Sequence, residues 1–123
     1  MILSFLQVNK MKDNTINYIE FKSLNIEETK AFYTKAFSWK FTDYGPHYVA
    51  FSESGLEGGF EYTTKPIING ALVVLYAKDL KIIQEVIISL GGKISKKAFE
   101  FPGGKRFHFL DPSGNELAIW SDK

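Results

Sequence analysis

The feature that most constrains this chain is an internal repeat. Residues Thr15 to Lys65 read as a strand, a helix and three strands, and residues Ala71 to Trp120 read in the same order again. Sliding one half over the other by about 53 residues lays Phe37-Ser38-Trp39-Lys40-Phe41 on Leu90-Gly91-Gly92-Lys93-Ile94. A half of roughly 50 residues, one helix on one small sheet, is marginal alone. Two such halves side by side can curl their sheets into a shared cup, and pockets form at seams of that kind. The expected fold class is therefore α+β: two βαβββ modules forming a curved mixed-sheet cup with helices outside. The expected layout is an N-terminal extension over 1–14 and one domain over 15–123, with modules at about 15–65 and 68–123.

Local signals place the elements. Thr15 to Lys22 alternates apolar and polar types, as a half-buried strand does. Asn25 and Glu28 have the spacing of a capping box, and Ile26, Thr29, Tyr33, Ala36 and Phe37 follow as a helical core stripe with Phe32 beside it. That helix should end near Phe37–Ser38. Trp39–Thr42, Tyr48–Phe51 and Gly59–Thr63 read as strands, separated by Tyr44-Gly45-Pro46 and by Gly55 and Gly58. In the second half Ala71–Ala77 is a nearly continuous apolar strand. Asp79 can cap a helix striped by Ile83, Val86, Ile87 and Leu90, and Gly91-Gly92 stops it. A strand begins at Lys93–Ser95. Ala98 to Gly104 is expected to be a loop, flanked by Lys96-Lys97 and Lys105-Arg106, which would make it an anion-attracting lid. Arg106–Leu110 and Glu116–Trp120 complete the strands. Between them, Asp111-Pro112-Ser113-Gly114-Asn115 has the residues of a tight turn: a side-chain acceptor, a fixed φ and a glycine.

Composition removes several function classes. There is no cysteine, so disulfide frameworks, zinc ribbons, iron–sulfur clusters and cysteine nucleophiles are excluded. Lys+Arg number 15 and Asp+Glu 14, a balance that argues against nucleic-acid or membrane-surface partners. Gly103-Gly104-Lys105 lacks the spacing of a phosphate loop and precedes a strand rather than a helix. The first ten residues are apolar but have no basic flank and no cleavage site, so they do not read as a secretory signal. Met11 is a candidate alternative start, with residues 1–10 as an appendage. A reducing, cytoplasmic location is the expectation.

The ordered motifs resemble a known family. Glu27 to Trp39, through Ala31-Phe32-Tyr33 and Phe37-Ser38-Trp39, is similar to the first helix of the glyoxalase/bleomycin-resistance/extradiol-dioxygenase group, the vicinal-oxygen-chelate superfamily. Ser38 stands where that family usually has glycine. Ala77-Lys78-Asp79-Leu80 and Leu90-Gly91-Gly92-Lys93 look like the entry to and exit from its second helix. Asp111 to Leu117 looks like its last hairpin. The resemblance covers about residues 15–121.

Strand period then sorts the side chains. With Ile19, Phe21, Phe107, Phe109, Leu117 and Ile119 toward the helices, the cup side holds Tyr18, Glu20, Glu61, Leu72, Tyr76, Arg106, His108, Ala118 and Trp120. Metal-dependent members of the family place ligands at positions that fall here on Tyr18, Glu61, Leu72 and Ala118. Two of these have no lone pair, so the resemblance argues against the family's metal chemistry in this chain, and the expectation is no metal and no cofactor; the alternative is a different metal site built from Glu20, Glu61 and His108. The functional expectation is a metal-independent small-molecule-binding protein whose cup holds its ligand through Tyr18, Leu72, Tyr76, Arg106, Ala118 and Trp120. Arg106 would anchor an anionic group. The alternative is a lactoylglutathione-lyase-related enzyme (lyase, isomerase or dioxygenase-like) acting on a small anionic or aromatic metabolite. Its acid–base groups would be His108, Glu20 and Glu61. The resemblance also implies a homodimer.

Overall fold

A computed structural model describes residues 11–123, and the predicted appendage over 1–10 lies outside those described residues. The chain divides into two compact units, one over residues 18–72 and the other over residues 73–123 together with residues 11–17.

The first unit is built from β1 (Thr15–Ser23), α1 (Ile26–Phe37), β2 (Lys40–Asp43), β3 (Tyr48–Ser52) and β4 (Gly58–Tyr62). Its strands lie in the order β2-β3-β4-β1. The two hairpin pairs are antiparallel, and β1 returns parallel to β4 after the helical crossover. Asn25 caps α1 by accepting the Glu28 N–H at 3.0 Å, as the capping-box spacing predicts. At the other end Ser38 takes the left-handed conformation, φ 61°, and its N–H returns to the Thr34 carbonyl. One face of the sheet packs under the helix: Ile26, Val49, Phe51 and Phe60 are buried there with Ile19, Phe21, Tyr33, Trp39 and Phe41 against them.

The second unit repeats this plan with β5 (Leu72–Tyr76), α2 (Leu80–Ser89), β6 (Lys93–Phe101), β7 (Gly104–Leu110) and β8 (Glu116–Ser121). The order is β5-β8-β7-β6, with β5 parallel to β8 and the rest antiparallel. The two βαβββ modules of the α+β class are thus present, strand for strand in the same arrangement. Asp79 caps α2 through the Ile82 N–H. The core is Ala77, Phe107 and Ile119, with Leu75, Leu80, Ile83, Ile87, Ile94 and Phe109 packed on it. Residues 13 and 14, expected to belong to an extension, are tied to this unit. The Asn14 N–H donates to the Tyr76 carbonyl, and Asp13 accepts the Lys78 N–H.

Three local expectations are corrected. Residues 98–101 are not a lid loop but the end of β6, and only Pro102-Gly103 turn the chain into β7. The cause is cross-strand pairing: Phe99 sits opposite Arg106 and Phe101 opposite Gly104, although register shifts on either side of Lys96 break the alternation that reveals a strand. Phe32 and Phe37 are exposed, because α1 rests on the sheet through Ile26 and Tyr33. Val86 and Leu90 are exposed as well. The packed line of α2 is Leu80-Ile83-Ile87; Val86 lies about 100° around the helix from Ile87 and Leu90 is already past its end.

Candidate functional site

The face of each sheet turned away from its helix carries the predicted site residues. In the first unit, Tyr18 and Glu20 alternate with the core residues Ile19 and Phe21 along β1, and both are almost fully buried. The structure adds Tyr48, which the sequence reading passed over. Its hydroxyl lies 2.7 Å from that of Tyr18 and donates to Glu20 Oε2 at 3.1 Å. A phenol has one proton, so Tyr18 must donate to Tyr48. The result is a chain from Tyr18 through Tyr48 to Glu20. Burial chiefly pushes both phenols well above their ordinary pKa, and the Glu20 carboxyl adds to it; the Tyr48 contact partly offsets the rise at Tyr18. Gly59 makes room for the pair: a Cβ there would lie 2.7 Å from Tyr18 Oη and closer still to Tyr48. The signal that finds Tyr48 is register, since Tyr48 faces Glu61 and Ala50 faces Gly59 across β3 and β4.

Glu61 lies on β4. The parallel register of β1 and β4 sets it opposite Lys22, with which it forms a half-exposed ion pair.

In the second unit the non-helix face of the sheet brings together Tyr76, Ala118, Trp120, Arg106 and His108. Arg106 pairs with Trp120, and His108 with Ala118, across β7 and β8. All five are buried. Tyr76 donates to Asp122 at 2.6 Å and meets the Trp120 ring edge-on, while the indole N–H donates to Asn17. Phe99, on β6, covers the polar pair: its centroid is 6.0 Å from the His108 ring and 5.3 Å from the guanidinium carbon of Arg106. Lys96 Nζ lies 4.7 Å from the same ring. His108 Nδ1 is 3.4 Å from Glu116 Oε2. Burial, then the charge of Arg106 and more weakly that of Lys96, lower the His108 pKa below 6.5 against the opposing pull of Glu116. The imidazole is neutral at pH 7. Leu72 lies at the start of β5, half-buried.

The four family metal positions do not fit a divalent ion. Leu72 and Ala118 offer no donor atom. The Tyr18 hydroxyl is engaged with Tyr48 and held in the phenol form, and Glu61 is engaged with Lys22. Among the described residues no group of three or more His, Asp or Glu side chains converges as a metal set. Two open hollows of about 540 and 570 Å³ lie beside the helices, one lined by Lys78, Lys105 and Lys123 and the other by Lys30, Thr34 and Trp39. Neither is lined by a predicted site residue.

No curated protein matches the chain. Solved structures do. The chain is similar to a glyoxalase/bleomycin resistance protein/dioxygenase superfamily member from Vibrio splendidus 12B01, at 16% identity over 87% of this chain and 99% of that one, TM-score 0.66. It is similar to methylmalonyl-CoA epimerase from Mycobacterium tuberculosis, at 8% identity over 98% and 92%, TM-score 0.67. The Mn(II)-bound glyoxalase from Novosphingobium aromaticivorans matches at 17% identity and TM-score 0.66, over 90% of this chain but only 40% of that one. Identities this low carry the fold alone. The sequence profile of the Glyoxalase/Bleomycin resistance protein/Dioxygenase superfamily matches residues 15–119, and the chain belongs to that superfamily.

Proposed function

We propose that this protein binds a small organic anion without a resident metal ion, in the manner of the binding members of its superfamily. The observation that carries the reading is the buried face of the second unit. There Arg106 and His108 stand beside Trp120 and Tyr76, under the Phe99 ring. A guanidinium is a planar, permanently charged partner for a carboxylate or phosphate, and the flanking rings suit a flat or apolar body. Ala118, opposite His108 across β7 and β8, keeps the neighbouring wall apolar.

The test is mass-spectrometric identification of whatever is released on denaturing the purified full chain, followed by titration of the stripped protein with it. Binding lost in Arg106→Met and weakened in Trp120→Ala supports the reading. A protein that retains no small molecule, and whose Trp120 fluorescence responds to no organic anion, refutes it.

A second reading has one observation in its favour. Glu20 is a buried carboxyl bonded to a phenol, an arrangement suited to moving a proton. On this reading Glu20, Glu61 and His108 supply acid–base chemistry in a lyase, isomerase or dioxygenase-like enzyme. Turnover of the identified ligand, abolished by Glu20→Gln with binding retained, would select it. The proposal includes a homodimer, which sedimentation across micromolar concentrations tests, and a cytoplasmic location. Among the described residues no helix is long and apolar enough to cross a membrane.

A further inference from the structure

One buried atom in the second unit narrows the ligand's chemistry. His108 is 7% exposed, and its Nε2 has no hydrogen-bond partner among the described residues. Buried polar atoms are seldom left in that state, so such an atom marks a place where a partner is missing. The other ring nitrogen, Nδ1, faces Glu116 Oε2 at 3.4 Å, and Ser95 Oγ donates to the same oxygen at 3.0 Å. A carboxylate oxygen accepts and does not donate. The single proton of the neutral ring therefore belongs on Nδ1, which leaves a bare lone pair on Nε2. The charged groups facing this ring come from three strands: Lys96 on β6, Arg106 on β7 and Glu116 on β8. Lys96 and Arg106 present positive charge toward this ring, which suits a ligand with a negative group, while the lone pair on Nε2 requires a donor from it.

We propose that Nε2 of His108 accepts a hydrogen bond from an O–H group of the bound ligand, and that the ligand is a small hydroxylated carboxylic acid. Its carboxylate lies toward Lys96 and Arg106, its hydroxyl on Nε2, and its body against Phe99. This rests on the small-molecule-binding reading above and deepens it. An acid that lacks the hydroxyl leaves Nε2 buried and unpaired, which a site built to accept a hydrogen bond penalises strongly.

The test uses the full chain labelled with ¹⁵N, with imidazole nitrogen shifts read at pH 7. Three probes are titrated: mandelate, phenylacetate and α-methoxyphenylacetate. The ligand-free protein is expected to show His108 in the Nδ1–H form. Mandelate is expected to move the Nε2 shift and to bind about tenfold or more tighter than either hydroxyl-free acid. In His108→Phe the three acids bind alike. Glu116→Gln, which removes the carboxylate that fixes the proton on Nδ1, reduces the mandelate preference and covers the case in which the phenylalanine variant does not fold. A ligand-free ring in the Nε2–H form, or equal binding of the three acids to the wild type, overturns this inference while leaving the binding reading standing. Binding of none of the three also overturns it, and the binding reading is then judged on the released molecule.

Discussion

A phenol has a single proton, and in the first unit that limit ranks two tyrosines. Tyr48 spends its proton on Glu20 and receives that of Tyr18, so it sits between two buried polar groups. Tyr48→Phe withdraws a partner from both and is expected to destabilise the protein by about 1–3 kcal/mol. Tyr18→Phe leaves the bond from Tyr48 to Glu20 in place and should cost about 1 kcal/mol. Urea unfolding of the two variants checks the order; equal losses would mean that the chain is not wired this way. At His108 the sign follows from its lowered pKa. The unfolded chain binds the proton near the ordinary 6.5, whereas the folded chain resists it until lower pH. Stability from this group is therefore full above about 6.5 and falls as the pH drops through the folded value. Thermal midpoints measured from pH 8 to 5 should fall more steeply for the wild type than for His108→Gln; parallel curves would show that the group is not buried as neutral imidazole.

Elements are written in the sequence where a backbone need has a side-chain solution. Asn25 and Asp79 announce their helices, and both caps form as the spacing requires. Asp111 announces its turn: it accepts the N–H groups of Ser113 and Asn115 and the Asn115 amide, which hold its pKa below the ordinary value, while Gly114 takes φ 96°. The hidden parts depend on the partner strand. Alternation fails across Lys96 in β6, so a strand looks like a loop until Arg106 is seen opposite Phe99. Tyr48 belongs to its network only through a register that no residue of β3 states by itself. Ser38 is an element-scale test, because it holds the left-handed C-cap with a side chain where glycine would be unstrained. Relief of that strain, less the extra freedom glycine gives the unfolded chain, predicts that Ser38→Gly raises stability by about 0.5–1 kcal/mol. A urea midpoint that rises with unchanged slope would confirm it, and a fall would show that the serine makes up the strain elsewhere.

At the scale of the whole molecule the repeat was legible because it is a pattern of periods. Two helical stripes and the strands after them recur in order, whatever the individual residues are. Site chemistry follows no such period; it depends on which donor stands at each position after folding. Four positions decide the matter of metal, and their fates differ. Leu72 and Ala118 fail by composition, which the sequence already discloses. Tyr18 and Glu61 fail by partnership, with Tyr48 and Lys22, which only the fold discloses. A hard divalent ion needs several oxygen or nitrogen donors in fixed geometry. Recruiting Glu61 would break its ion pair, and recruiting Tyr18 would require ionising a phenol whose pKa burial has raised. The expected outcome is that protein purified without added metal contains no stoichiometric manganese, nickel, zinc or iron by elemental analysis. A chelator should leave both the thermal midpoint and the affinity for the released ligand unchanged. Loss of the Lys22 pair in Glu61→Gln should cost about 0–1 kcal/mol, as for a half-exposed pair. Near-stoichiometric metal that is lost on Glu61→Gln would overturn this argument, because it would show the carboxylate leaving Lys22 for an ion.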